Sequence, residues 1–378
     1  MFDLKSHTHL LTIAGSRAYG MHRADSDVDV KGVAIPPRRY FTGYLHRFEQ
    51  SDKPEQIAVF ASNLTDAEQT IVASTKFEGT VFNLLKFVAL AADCNPNILD
   101  VLFCRDAEVR QMSEIGARLR ESRDLFLSSK VKHTFSGYAA AQLKRVKSHR
   151  AWLLNPPKQA PTREEFGLPN HTLIPADHMA AANAAVQTEM GSWGINFSGV
   201  EESVVIDIQT RVSAYLTRVT AGVEDAEWTV AAHTIGLSDN LIHAMQQERA
   251  YENAQKQWAS YRNWQRNRNP ARAALEEKHG YDTKHGAHLV RLLRMGSEIL
   301  ETGKVNVWRG IGGTDDAEEL SAIRAGAWSY DRLVGYAEDL DARLTRLYME
   351  GTLAVPKHPD RNAIDDLCVG LVETATGR

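Results

Sequence analysis

Two short apolar stretches open the chain, HLLTIAG at 9–15 and VDVKGVAI at 28–35. The first is a continuous apolar run stopped by a glycine, which predicts a buried strand. The second alternates and is rich in valine. That predicts a second strand, ended by the prolines at 36 and 37. IVASTKFEGTVF (71–82) predicts a third strand around Lys76–Val81. It runs into FNLLKFVALAAD (82–93), whose apolar positions 84, 85, 87, 88, 90 and 91 have helical spacing. NPNILDVLF then predicts a further short helix. Strand and helix alternate to about residue 105, the signature of an α/β unit.

Beyond that point helix dominates. Residues 113–154 are nearly free of glycine and proline, and helical patterns recur at 178–190, 201–221, 239–265, 283–302 and 330–349. NPPKQAPTREEFGLPNHTLIP (155–175) holds five of the chain's twelve prolines and predicts a loop-rich excursion, extending to about 235. The expected fold class is α+β. A small N-terminal α/β domain with a mixed sheet (1–105) precedes a larger, mostly helical domain (106–378).

Composition narrows this only a little. The chain has 378 residues, 43% hydrophobic and 24% charged, enough apolar material for a sizeable core. A net charge of −4 excludes a wholly electrostatic nucleic-acid binder but leaves room for a local basic patch. Cys94, Cys104 and Cys368 fit no metal-binding spacing and predict free thiols in a reducing compartment. MFDLKSHTHL lacks the pattern of a signal peptide, and no apolar run approaches the roughly 20 residues needed to span a bilayer. The expected location is cytoplasmic, with no membrane partner.

The chemistry concentrates in AGSRAYGMHRADSDVDVKGV (14–33). Asp27 and Asp29, two apart on a strand, project to one face, with Val28 and Val30 turned inward. Side-by-side carboxylates repel one another. A hard cation such as Mg²⁺ (or Mn²⁺) removes that penalty, because it takes oxygen ligands and commonly pairs one or two carboxylates with substrate phosphates. The Gly15–Ser16 turn adds backbone N–H groups and a hydroxyl suited to a phosphate tail. Together these features fit two-metal transfer of a nucleotidyl group, one metal activating a hydroxyl and the other steadying the triphosphate.

Gly-Ser, ten intervening residues, then Asp-Val-Asp leading an apolar strand resembles the polymerase-β-type nucleotidyltransferase superfamily. Four ordered blocks resemble a narrower group, the YcgL-like, RlaP family of bacterial and phage nucleotidyltransferases predicted to serve in RNA repair. These blocks are GSRAYG…SDVDVKGV, FNLLKFVALAADCNPNILDVLF, YAAAQLKRVKSHRAWLLNPP and GYDTKHGAHLVRLLRMGSEILETGK. They cover most of the chain outside about 156–235. The resemblance implies that residues 1–105 are the catalytic domain, with Asp27 and Asp29 as catalytic metal ligands and Gly15, Ser16 and Arg17 at the nucleotide. It implies Glu78 as the third carboxylate, where the family usually carries an aspartate. It further implies an NTP such as ATP as substrate, RNA (a tRNA end above all) as acceptor, and separate RNA-repair proteins as partners.

YDTKHGAHLVRLLRM places Lys284, His288 and Arg291 on one helix face, with Leu289, Leu292, Leu293 and Ile299 on the other as core. The basic row is expected to face the cleft and touch the triphosphate or an RNA backbone, with Tyr281 and Asp282 capping the helix. His279, His285 and His288, spaced six and three apart, make no convincing zinc quartet with any cysteine. Tyr138, Gln142, Arg145 and His149 form a second polar stripe, read as a solvated face. KQWASYRNWQRNRNPAR (256–272) has five basic residues and no acid. Trp258, Tyr261 and Trp264 read there as a packing stripe, with Arg266, Arg268 and Arg272 as the nucleic-acid contacts.

Two alternatives stay open in the sequence. One is the same chemistry directed at a protein or small-molecule acceptor. The other is a non-catalytic nucleotide-binding regulatory module.

Overall fold

The computed structural model describes residues 2–23, 26–192, 226–268, 270–310, 312–313 and 316–377. The helical pattern expected at 201–221 lies outside the described residues. The chain packs as two compact units, one of residues 1–153 and 271–378 and the other of residues 154–270.

The first unit is built on a five-stranded mixed sheet. Its strands are β1 (Thr8–Ala14), β2 (Val28–Ala34), β3 (Gln50–Ser51), β4 (Phe77–Asn83) and β5 (Val109–Met112), in the order β3-β4-β2-β1-β5. β2 pairs antiparallel with β1 and parallel with β4, so it lies at the centre. The sequence pattern predicts β1, β2 and β4. β3 has only two residues, and β5 (VRQM) has no apolar run, so neither carries a periodic signal.

Alternation divides β2 cleanly. Val28 and Val30 are fully buried and pack with Leu11, Ile13 and Val81 on one sheet face. Val33 joins the opposite core, under the helices α2 and α3 described next. α1 is the single turn Gly15–Ala18; α2 is Leu84–Ala92 and α3 is Pro96–Phe103. Asn83 and Asn95 cap α2 and α3 through their side-chain oxygens, and Pro96 takes the first helical position, where its missing N–H costs nothing.

Among the further helices of this unit are α4 (Val131–Leu154), α5 (Pro270–His279), α6 (Thr283–Thr302), α7 (Ala317–Ala325), α8 (Tyr330–Glu350) and the C-terminal helix α9 (Arg361–Thr376). α6 is buried over most of its surface, with Leu289, Val290, Leu292, Leu293, Ile299 and Leu300 packed among α4 and α8. Its close seat on α8 needs Gly286, where an added Cβ would lie 2.8 Å from a methyl of Leu333. Leu99, Tyr19 and Met21 belong to the same core, so α3 and the segment after α1 share an interior with the helices around α6.

The second unit has helices Ala176–Ser192, Ala226–Thr234 and Asp239–Asn267. Val186, Trp228, Ala231, Ile242 and Met245 form its core. Arg163 grips the buried Glu248 with two hydrogen bonds (2.6 and 3.0 Å) and donates to the carbonyls of Pro169 and His171, which pins the proline-rich segment.

Candidate active site

Asp29 stands at the centre of the first unit's cleft because of register. On β2 it pairs with Ala14 of β1 on one side and with Glu78 of β4 on the other. Gly15 follows Ala14 directly and adopts φ +63°, a conformation that strains any residue with a Cβ. A Cβ there would lie 2.6 Å from Asp29 Oδ2, so the glycine both makes the turn and opens space over the carboxylate. Burial raises the Asp29 pKa. Lys284 opposes that shift, and the negative charges of Asp27 and Glu78 add to it. Three carboxylates therefore feel one another here, at a point where a divalent cation would relieve the repulsion.

Asp27 is exposed and immediately precedes β2. Glu78 is half-exposed and forms an ion pair with Lys76, which raises the lysine's pKa. Lys31, on the same face of β2 as Asp29, donates to the carbonyl of Asn97 (3.2 Å), and burial lowers its pKa.

Two cavities meet at Gly15, Tyr19, Asp29 and Asn97. One, of about 260 Å³, is lined by Ser16 and by the cationic or imidazole side chains of Arg145, Lys284, His285, His288, Arg291 and Arg324. The other, of about 480 Å³, is lined by Lys31, Asp52, Lys76, Glu78 and Thr80. Asp29 is the carboxylate common to both.

The floor of the basic cavity is a buried network. Tyr19 donates its hydroxyl proton to Asp100 Oδ2 (2.7 Å), and Arg291 Nη1 lies 3.5 Å from Asp100 Oδ1. The Arg291 guanidinium also stacks 3.5 Å from the centre of the Tyr19 ring and donates to His288 Nδ1 (3.2 Å). Burial and the Arg291 charge hold the His288 pKa well below the usual imidazole range, so its Nδ1 accepts that proton as a neutral ring. Asp282 caps α6 by accepting the N–H groups of Lys284 (3.0 Å) and His285 (3.1 Å). Tyr281 is fully buried and donates to the carbonyl of Trp328 (3.0 Å).

The structure thus brings Gly15, Ser16, Asp29, Lys284, His288 and Arg291 to one cavity, with Glu78 beside Asp29 in the second. Arg17 is placed elsewhere: it donates to the carbonyls of Ser26 (2.7 Å) and Asp27 (3.1 Å) and so braces the segment entering β2. Arg266 and Arg268 belong to the second unit, and Arg268 stacks 4.4 Å from the Trp264 ring. Arg272 is a residue of α5. Trp258, Tyr261 and Trp264 stack in sequence along their helix with Tyr261 buried, as a packing stripe does.

One expectation is corrected. The stripe of Tyr138, Gln142, Arg145 and His149 is not a solvated face: Tyr138 Oη accepts from Asn95 (2.8 Å), Gln142 is buried against His285 (2.8 Å), and Arg145 lines the basic cavity. Sequence reasoning also passed over Lys31, Asn97, Asp100 and Arg324. Lys31 was signalled by alternation, two positions after Asp29; the others have no local pattern.

Residues 5–154 match the model of the RlaP family, described as the RNA repair pathway DNA polymerase beta family. This segment contains the whole sheet together with α1 to α4. Comparison with curated proteins and with solved structures found no match. Cys94, Cys104 and Cys368 are free and buried. No helix among the described residues is long and apolar enough to cross a membrane.

Proposed function

We propose that the protein is a nucleotidyltransferase that moves an NMP from an NTP to an acceptor hydroxyl, with an RNA end as the acceptor. The single observation that carries the reading is Asp29 at the junction of two cavities, one basic and one open along β4. The match of residues 5–154 to the RlaP family model supports RNA repair as the setting.

The basic cavity suits a triphosphate: Arg145, Lys284 and Arg324 supply charge, and Ser16 supplies a hydroxyl. Gly15, lacking a side chain, lets a phosphate approach Asp29. The buried Tyr19–Asp100–Arg291 network holds α6 against α3, so that Lys284 and His288 keep their positions without reorganising when charge develops. The second cavity, beside Glu78 and Thr80, is then the acceptor's path to Asp29. Asp27, Asp29 and Glu78 form an all-oxygen donor set suited to Mg²⁺ or Mn²⁺, which would neutralise phosphate charge and lower the pKa of the attacking hydroxyl.

The acceptor is identified by digesting a labelled product. Label from an α-labelled NTP that is released by ribonuclease and resists protease supports the RNA acceptor. Label that survives ribonuclease but is released by protease replaces it with protein modification.

A further inference from the structure

Another cavity of the first unit, of about 400 Å³, opens at the β3 edge of the sheet. That volume is on the scale of ligand pockets, roughly 300–1,000 Å³. Asp52, which directly follows β3, lines both this cavity and the one beside Glu78 and Thr80. The two therefore adjoin, and a chain leaving Asp29 along the second cavity meets this one next.

Its lining is aromatic and cationic. Tyr40, His46 and Phe48 come from the connection between β2 and β3, and Phe2 from the start of the chain. Phe2 packs edge-on against Tyr40 and Phe48, with ring centres 5.0 Å apart in each pair, which fixes both rings. The exposed His46 ring lies 5.5 Å from Tyr40 at an angle of 30°. Beside it Tyr44 and Leu45 are 86% and 70% exposed, two adjacent large side chains left to water. Arg47 and Lys53 are exposed at the same cavity, and Arg47 is held by donating to the carbonyl of Gly43.

Exposed rings beside exposed cations suit unpaired nucleotides. Every base has a π-face that stacks on an aromatic ring, and each phosphate takes a positive charge. We infer, resting on the RNA-acceptor reading above, that this cavity binds the unpaired nucleotides preceding the reacting end, with His46 and Tyr40 as stacking rings and Arg47 and Lys53 as phosphate contacts. Such a site selects an unpaired end over a duplex end, because paired bases keep their faces stacked on one another. It also separates holding the acceptor, along residues 40–53, from the chemistry at Asp29.

Fluorescence anisotropy of a labelled single-stranded oligoribonucleotide with the full chain, without metal or NTP, tests the site apart from catalysis. The wild type binds the oligomer, and His46→Ala weakens binding about 10-fold, the scale of one lost base stack. Arg47→Ala/Lys53→Ala lowers the slope of log Kd against log salt by about 1.4, from about 0.7 for each phosphate contact on a single strand. All three side chains are exposed, and circular dichroism establishes that the variants are folded. Unchanged affinity in His46→Ala, or an unchanged salt slope in the double variant, overturns the site. A wild type that binds no oligomer also overturns it and leaves Tyr44 and Leu45 as a protein-docking face. Label transfer to RNA, measured in parallel, keeps the two readings apart. Transfer that persists while these variants bind as the wild type does removes the site and spares the transferase; His46-dependent binding without any transfer does the reverse.

Discussion

Asp29 and Glu78 are register partners on the parallel strands β2 and β4, so the carboxylate from the Asp-x-Asp motif and the one from a strand about fifty residues later arrive at one edge of the cleft. Glu78 also raises the Asp29 pKa. Removing its charge with Glu78→Gln lowers the Asp29 pKa, so the carboxylate ionises at a lower pH in the metal-free protein. An NMR pH titration of Asp29 in both proteins checks the direction. The same substitution lowers nucleotidyl transfer about 10²-fold or more, and Glu78→Asp retains part of the activity.

Gly15 is the second sensitive point. Gly15→Ala places a Cβ at a positive φ and 2.6 Å from Asp29 Oδ2. The backbone strain costs on the order of 1–2 kcal/mol, and Asp29 must shift to make room. Denaturant unfolding will show that loss, and activity will fall by more than the loss of stability accounts for.

Arg291 and Asp100 are both buried, and their pairing holds α6 to α3. Arg291→Ala leaves Asp100 without its cation and is expected to cost roughly 3–5 kcal/mol. The double change Arg291→Met/Asp100→Asn recovers much of that, because neither member of the pair is left as an uncompensated charge. Equal losses in the single and double variants, by chemical denaturation, would show that the pair is not coupled.

His288 gives a pH signature. Its folded pKa lies well below 6.5, so the unfolded chain binds a proton that the folded chain does not as pH falls below that value. Stability from this group is present above pH about 6.5 and is lost as pH drops toward the folded pKa, at up to about 1.4 kcal/mol per pH unit. His288→Gln removes that slope. Parallel urea titrations between pH 7 and pH 5 compare the two proteins.

Much of the sheet and of α6 is legible in the sequence because alternation and helical spacing there coincide with burial. Val28 and Val30 face a core while Asp29 and Lys31 face the cleft, and Asp282 caps α6 where its sequence position implies. The site's floor is not legible. Asp100, Tyr19 and Arg291 come from three distant segments, and nothing local marks Asp100 as a buried partner. The stripe of Gln142, Arg145 and His149 shows why: polar residues at helical spacing look alike whether they face water or a polar cleft. The helix at 270–279 has no signal in the sequence, because PARAALEEKH carries no apolar stripe.

Label transfer tests the central claim most directly. The purified full chain is incubated with each α-labelled NTP, Mg²⁺ or Mn²⁺, and total RNA rich in tRNA, beside the Asp27→Ala/Asp29→Ala variant. Label entering RNA from at least one NTP with the wild type, and reduced about 10³-fold or more in the variant, is the predicted result. Equal labelling by both proteins, or none by a folded wild type with any of the four NTPs, would contradict a transferase centred on Asp29.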